Sequence, residues 1–213
     1  MSSTLDSLRP PPDARRADGI VQGTNVVLAI AGCIALALIS SPGNRVALAI
    51  YGAGLLAMTG CSALYAWGRG GPRHTLFRHL DQAAIFVMIA GTYTPFTAIA
   101  LSGPRAHRLL EIIWAIALTG VLIKMLAPRR FERLSIPLYL LMGWIVLYDP
   151  TLLLNLSRET LTLLLAGGVL YTAGIAFHLS RLRYQEAIWH GFVLAGSVFH
   201  YFSVLLYVLP GPR

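Results

Sequence analysis

Apolar residues come in long blocks along this chain, and polar residues are gathered in the short gaps between them. The blocks fall near 25–40, 46–67, 82–101, 109–126, 134–153, 160–179 and 187–209. A helix needs about 20 mostly apolar residues to cross the hydrocarbon core of a bilayer, and these blocks are close to that length. None alternates apolar and polar positions as the strands of a membrane barrel do. The pattern therefore predicts an all-α fold, a seven-transmembrane-helix bundle over residues 21–213. Residues 1–20 are polar, with consecutive prolines at Pro10, Pro11 and Pro12, and read as a disordered tail. Ser41-Pro42-Gly43-Asn44 predicts a tight turn, and Pro95 and Asp149-Pro150 are expected to kink or cap their helices.

Composition narrows the function classes. Hydrophobic residues make up 56% of the 213 positions and charged residues only 12%, whereas soluble domains carry roughly 25% charge. Seventeen basic and nine acidic side chains cannot coat a soluble domain of this size. The composition argues against a soluble enzyme, a disordered regulator and a nucleic-acid-binding domain. The spans use about 140 residues, which leaves no separate folded domain. Cys33 and Cys61 lie inside apolar blocks, so no disulfide framework is expected. The first 19 residues lack the apolar core of a cleaved secretory signal.

Lys and Arg counts give the orientation. Twelve fall in the tail and in the connections after the second, fourth and sixth blocks; five fall on the other side. The N-terminus is therefore expected in the cytoplasm and the C-terminus outside, with the basic residues anchoring the topology and meeting anionic lipid. A retinal protein needs a Schiff-base lysine, but Lys124 is the only lysine and ends the fourth block. A G-protein-coupled receptor would have the opposite orientation.

Ionisable residues at membrane depth are costly and mark functional sites. Asp81 lies where an inner loop meets the third block. Glu186 and His190 lie where the last inner loop meets the seventh, four residues apart and so on one helical face. All are expected at the cytoplasmic level, where two carboxylates and an imidazole can hold a divalent cation. The alternative is structural: Asp81 and Glu186 as acids at helix N-termini, and His190 as a hydrogen-bonded contact. His200 lies about 15 Å deeper and is expected to make a structural hydrogen bond. Gly52, Gly54, Gly60, Gly167, Gly168 and Gly174 are expected to permit close helix packing.

Three segments then carry a resemblance: Ser62-Ala63-Leu64-Tyr65-Ala66; Leu80-Asp81-Gln82-Ala83-Ala84-Ile85-Phe86 running into Ile89-Ala90-Gly91-Thr92-Tyr93-Thr94-Pro95-Phe96; and Ala187-Ile188-Trp189-His190 followed by Phe192-Val193-Leu194-Ala195-Gly196-Ser197 and His200. Together they resemble the hemolysin III family, the bacterial branch of the progestin and adipoQ receptor superfamily. The resemblance implies seven helices in the bacterial inner membrane with the N-terminus inside. It also implies a zinc ion near the cytoplasmic surface, held by one histidine of the second helix and two of the seventh, with an aspartate touching the metal-bound water. Ser62, Asp81 and His190 match that pattern. Ala66 and Glu186 stand where histidines are expected. The inherited metal set is therefore Asp81, Glu186 and His190, with Asp81 and Ser62 in the catalytic role. It suits Zn²⁺ or the harder Mn²⁺, or else the site is vestigial and empty. His74 and His79 in the adjacent loop are candidate substitute ligands.

The functions in competition are metal-dependent hydrolysis of a lipid amide within membrane homeostasis, a pore-forming cytolytic activity, and lipid sensing without catalysis. The expected partners are membrane lipids, as substrate or ligand. A water-filled pore needs polar residues along its depth, and the mid-membrane candidates are few: Thr59, Thr92, Thr94, Thr119, Thr172 and His200.

Overall fold

The computed structural model of the chain describes residues 11–101 and 103–208. Helix α1 (Pro12–Ile39) opens with Pro12, whose missing N–H would be unpaired in a first turn anyway, and with Asp13, favourable at the positive helix end. Helix α2 (Arg45–Trp67) stops at Gly68. Helix α3 (His74–Pro95) continues as a π-helical turn at Phe96–Ala100. Gly103, at φ 111°, makes the left-handed turn into α4 (Pro104–Leu126). Helix α5 (Pro128–Trp144) tightens into a 3₁₀ turn at Ile145–Tyr148, and a single turn at Pro150–Leu153 follows. Ser157 caps α6 (Arg158–His178) by accepting from the Thr160 N–H at 3.2 Å. Helix α7 (Gln185–Val208) closes the fold.

Helices α1 to α4, α6 and α7 are long and apolar enough to cross a membrane, and Leu134–Tyr148 forms a shorter apolar helix. There is no strand among the described residues. The chain is a multi-span helical membrane protein.

Two expectations need correction. The polar tail does not reach residue 20, because α1 begins at Pro12; residues 1–10 lie outside the described residues. The third block begins a helix at His74 rather than at 82, so Asp81 stands two turns inside it and is not its N-cap. The reason is common to both. Polar residues at both starts have partners, Asp13 and Asp18 in α1 and His74, stacked on Tyr65, in α3, so hydropathy alone set each start too late. Pro95 ends the regular helix and hands over to the wider π turn, as its missing N–H requires.

Helix α1 packs on α2 and α7, α2 on α3, α3 on α4, and α6 on α7. Helix α5 touches its neighbours more lightly. Tyr51, Met58, Met88 and Val204 centre one buried cluster; Phe86, Ile113, Ala117 and Met142 centre another. Close approach depends on glycine. A Cβ on Gly174 would lie 2.7 Å from Phe192 Cβ, and Gly167 is pressed against the His200 ring. Gly52, Gly54 and Gly168 make similar contacts, but Gly60 meets nothing within 4 Å. Ile20, Val27, Leu38, Leu118, Leu126 and Val169 are exposed on the outside, the face such a bundle turns to lipid. Cys33 and Cys61 are free thiols.

Candidate functional site

Polar side chains gather at the end of the bundle that carries the 68–73 and 179–184 connections. The face of α1 that turns inward is polar for its first turns: Asp18, Gln22 and Asn25 are buried at helical spacing, continuing into Ala29 and Leu36. Asp18 is only 1% exposed. One of its carboxylate oxygens, Oδ1, takes a hydrogen bond from His190 Nδ1 at 2.6 Å. The other, Oδ2, pairs with Arg69 Nη2, and the same nitrogen pairs with Glu186 Oε2. Arg69 thus links the start of α1, the end of α2 and the first turn of α7. Its guanidinium lies 5.4 Å from the Tyr65 ring centroid, a cation–π distance. His74 stacks on the other partner of that contact, with ring centroids 5.0 Å apart from Tyr65.

Asp81 approaches from α3. Ser62 Oγ donates to Asp81 Oδ1, and Asp81 lies within electrostatic reach of His190, Asp18 and Glu186. The sequence-derived set of Asp81, Ser62, Glu186 and His190 is therefore brought to one end of the bundle. Sequence reasoning missed Asp18, Gln22 and Arg69. The signal for Asp18 and Gln22 was their spacing of four, in register with Asn25 and Ala29, on a helix whose first turns were read as tail and loop. Arg69 carried no such signal, since an arginine after an apolar block reads as a topological anchor.

The zinc that the resemblance implies can be tested on these contacts. Ala66 contributes no donor. Glu186 faces a guanidinium, and His190 Nδ1 is held by Asp18. Among the described residues, no group of three or more His, Cys, Asp or Glu side chains is arranged to hold a metal ion. The donor set as arranged does not fit a resident divalent cation, because a permanent positive charge already stands against Glu186, and Asp18 already occupies His190 Nδ1.

One turn beyond Asp81 and next to His190, an apolar cavity of about 180 Å³ opens between α3, α5, α6 and α7. Ile85, Met88, Ile89, Leu164, Trp189 and His200 line it. Among its lining residues Leu147, of the 3₁₀ turn after α5, and Leu165, of α6, are 46% and 39% exposed, and we place the mouth between them. Trp144 Nε1 donates to Thr172 Oγ1 across that mouth at 3.0 Å. Deep in the bundle, His200 Nε2 donates to the Leu164 carbonyl at 3.1 Å, the structural hydrogen bond expected of it.

A second contact fastens the same end: Asp13 accepts from Arg183 Nη2 at 2.7 Å and from the Tyr184 hydroxyl. That hydrogen bond holds the Tyr184 phenol above its usual range.

Comparison with known proteins agrees with the residues. Hemolysin-3 of Bacillus cereus is 40% identical over 200 residues, covering 91% of this chain and 91% of the relative. The Hemolysin-3 homolog of Bacillus subtilis (strain 168) is 35% identical over 92% of this chain and 95% of its own length. The human Monocyte to macrophage differentiation factor is 28% identical over 76% of this chain and 71% of its own. No solved structure matches. The model of the family described as Haemolysin-III related matches residues 21–201, and the chain belongs to that family.

Proposed function

We propose that this protein lies in the bacterial cytoplasmic membrane with its N-terminus inside and seven crossings, and acts in membrane-lipid homeostasis by taking the apolar part of a lipid into the cavity between α3, α5, α6 and α7. The twelve-to-five asymmetry of Lys and Arg supports the orientation. The shorter Leu134–Tyr148 helix supplies the remaining crossing, the bilayer accommodating the mismatch at modest cost.

The observation that carries the lipid reading is the cavity: mostly apolar in its lining, with the half-exposed leucines Leu147 and Leu165 at its edge. The polar cluster one turn away stands where the headgroup of such a guest would lie. The hydroxyls nearest the middle of the bundle support an apolar guest over a water-filled conduit. Thr59, Thr92 and Thr94 each donate to the carbonyl of their own helix, at 2.9 Å, and have no proton left to donate to a water column. Metal-dependent hydrolysis finds no support in how Asp81, Glu186 and His190 are engaged, so the proposed activity is lipid binding.

Photo-crosslinking tests it. With the protein in vesicles holding a diazirine-bearing fatty acyl lipid, saturable labelling is expected on α3, α6 and α7. Leu165→Trp, which fills the mouth, should cut that labelling several-fold. Leu28→Trp, on an exposed face of α1, should leave it unchanged. Labelling that ignores both substitutions alike overturns the proposal.

A further inference from the structure

We propose that Arg69 is a built-in replacement for a metal ion: its guanidinium supplies from within the chain the positive charge that holds Asp18, Glu186 and His190 together, and the site works without a bound cation. This does not depend on lipid binding in the cavity.

The geometry behind it is specific. Two carboxylates, Asp18 and Glu186, meet at one point, and the first of them also holds the His190 imidazole. Like charges that close repel strongly away from bulk water, so such a group needs a cation at its centre. Arg69 Nη2 stands at that point, with Asp18 Oδ2 on one side and Glu186 Oε2 on the other. The bridge is shielded: the Arg69 and Asp18 side chains are 10% and 1% exposed. Asp18 passes the link on, since its second oxygen holds His190 Nδ1. The result is a relay from Glu186 to Arg69 to Asp18 to His190 that ties α1, α2 and α7.

A guanidinium does this differently from a metal. It cannot be removed by a chelator, keeps its charge at every accessible pH, and offers no open coordination position to a water. An incoming divalent cation would have to displace it against mutual repulsion. The two departures from the zinc pattern also fit together. Ala66 removes a donor that a guanidinium would not need, and Glu186 turns a neutral ligand into a counter-charge for Arg69.

The test uses the full-length protein purified in mild detergent, without chelator, from zinc-supplemented cells. Metal content by plasma mass spectrometry is expected to fall far below one equivalent, and the melting temperature to be the same with EDTA or with added Zn²⁺. Arg69→Met should lower the melting temperature, and adding Glu186→Gln, which removes the unpaired partner, should recover part of the loss. If Arg69→Met does not accumulate, Arg69→Lys keeps the charge but loses the fork; it should melt lower than the parent and remain metal-free. One equivalent of metal that survives dialysis and disappears in His190→Ala would overturn the inference. So would a melting temperature that falls in EDTA, or one that Arg69→Met and Arg69→Lys leave unmoved.

Discussion

The two ends of this bundle use the same ion pair to different effect. At one end Arg69 meets Asp18, with side chains 10% and 1% exposed. At the other Arg105 meets Asp149 at 3.6 Å, with side chains 72% and 26% exposed. The exposed pair is joined by small helpers: Arg105 donates to Thr151 Oγ1 at 3.3 Å, and Asp149 caps the turn at Pro150–Leu153. Charge pairing by itself explains neither arrangement. An exposed pair is screened by water and salt and holds little. A shielded pair adds little if both partners are present, but it becomes a large liability when one is removed. The buried end is therefore where the chain commits its structure, and the open end is where it can vary.

Substitutions can break that contrast, and the largest effect is expected at Asp18. Asp18→Ala leaves Arg69 and His190 without their shared acceptor and should destabilise the fold by about 3–5 kcal/mol, read by unfolding in detergent. A loss no greater than that of Asp149→Ala would erase the distinction between the ends. Next is the glycine packing near the buried end. Gly174→Ala drives a methyl toward Phe192 Cβ, 2.7 Å from where it would stand, and should destabilise by about 1–3 kcal/mol. At the open end, Ser157→Ala removes the N-cap of α6 and should cost about 1 kcal/mol.

The smallest effect is that of Asp149→Asn, which should be visible only as a pH dependence. The Thr151 hydroxyl, and then Arg105, hold the Asp149 carboxyl below its usual range. A carboxyl lowered on folding stabilises the fold above its unfolded value, and that contribution fades as pH falls through the folded one. The melting temperatures of parent and Asp149→Asn should therefore converge on acidification and separate slightly toward neutral pH. A gap that widens on acidification would show the sign to be reversed.

Much of this architecture was written in the periodicity of the chain. Long apolar blocks and proline punctuation located every long helix, and the Glu186/His190 spacing placed both side chains at one end of α7. The start of α1 was hidden for a physical reason. Asp13, Arg15, Arg16 and Asp18 read as tail because hydropathy scores each residue alone, whereas Asp13 and Asp18 are satisfied by partners some 170 positions away. Arg69 was hidden because a boundary anchor and a buried counter-ion look identical in a count of basic residues. Ala66 and Glu186 were legible as departures from the resembled pattern, whereas the ion pair of Glu186 with Arg69 was not.

The hydrogen bond from His190 to Asp18 joins residues 172 positions apart, and this has a consequence for how the protein is made. While a ribosome is still delivering the middle of the chain, Arg69 is already there to meet one oxygen of Asp18, but the other has no α7 to meet. Insertion order and final closure are therefore separate events, the second waiting for the last helix to arrive. A nascent chain truncated before α7 would hold all its other spans and still lack the seam that joins its two ends, leaving the first helix open to membrane quality-control proteases.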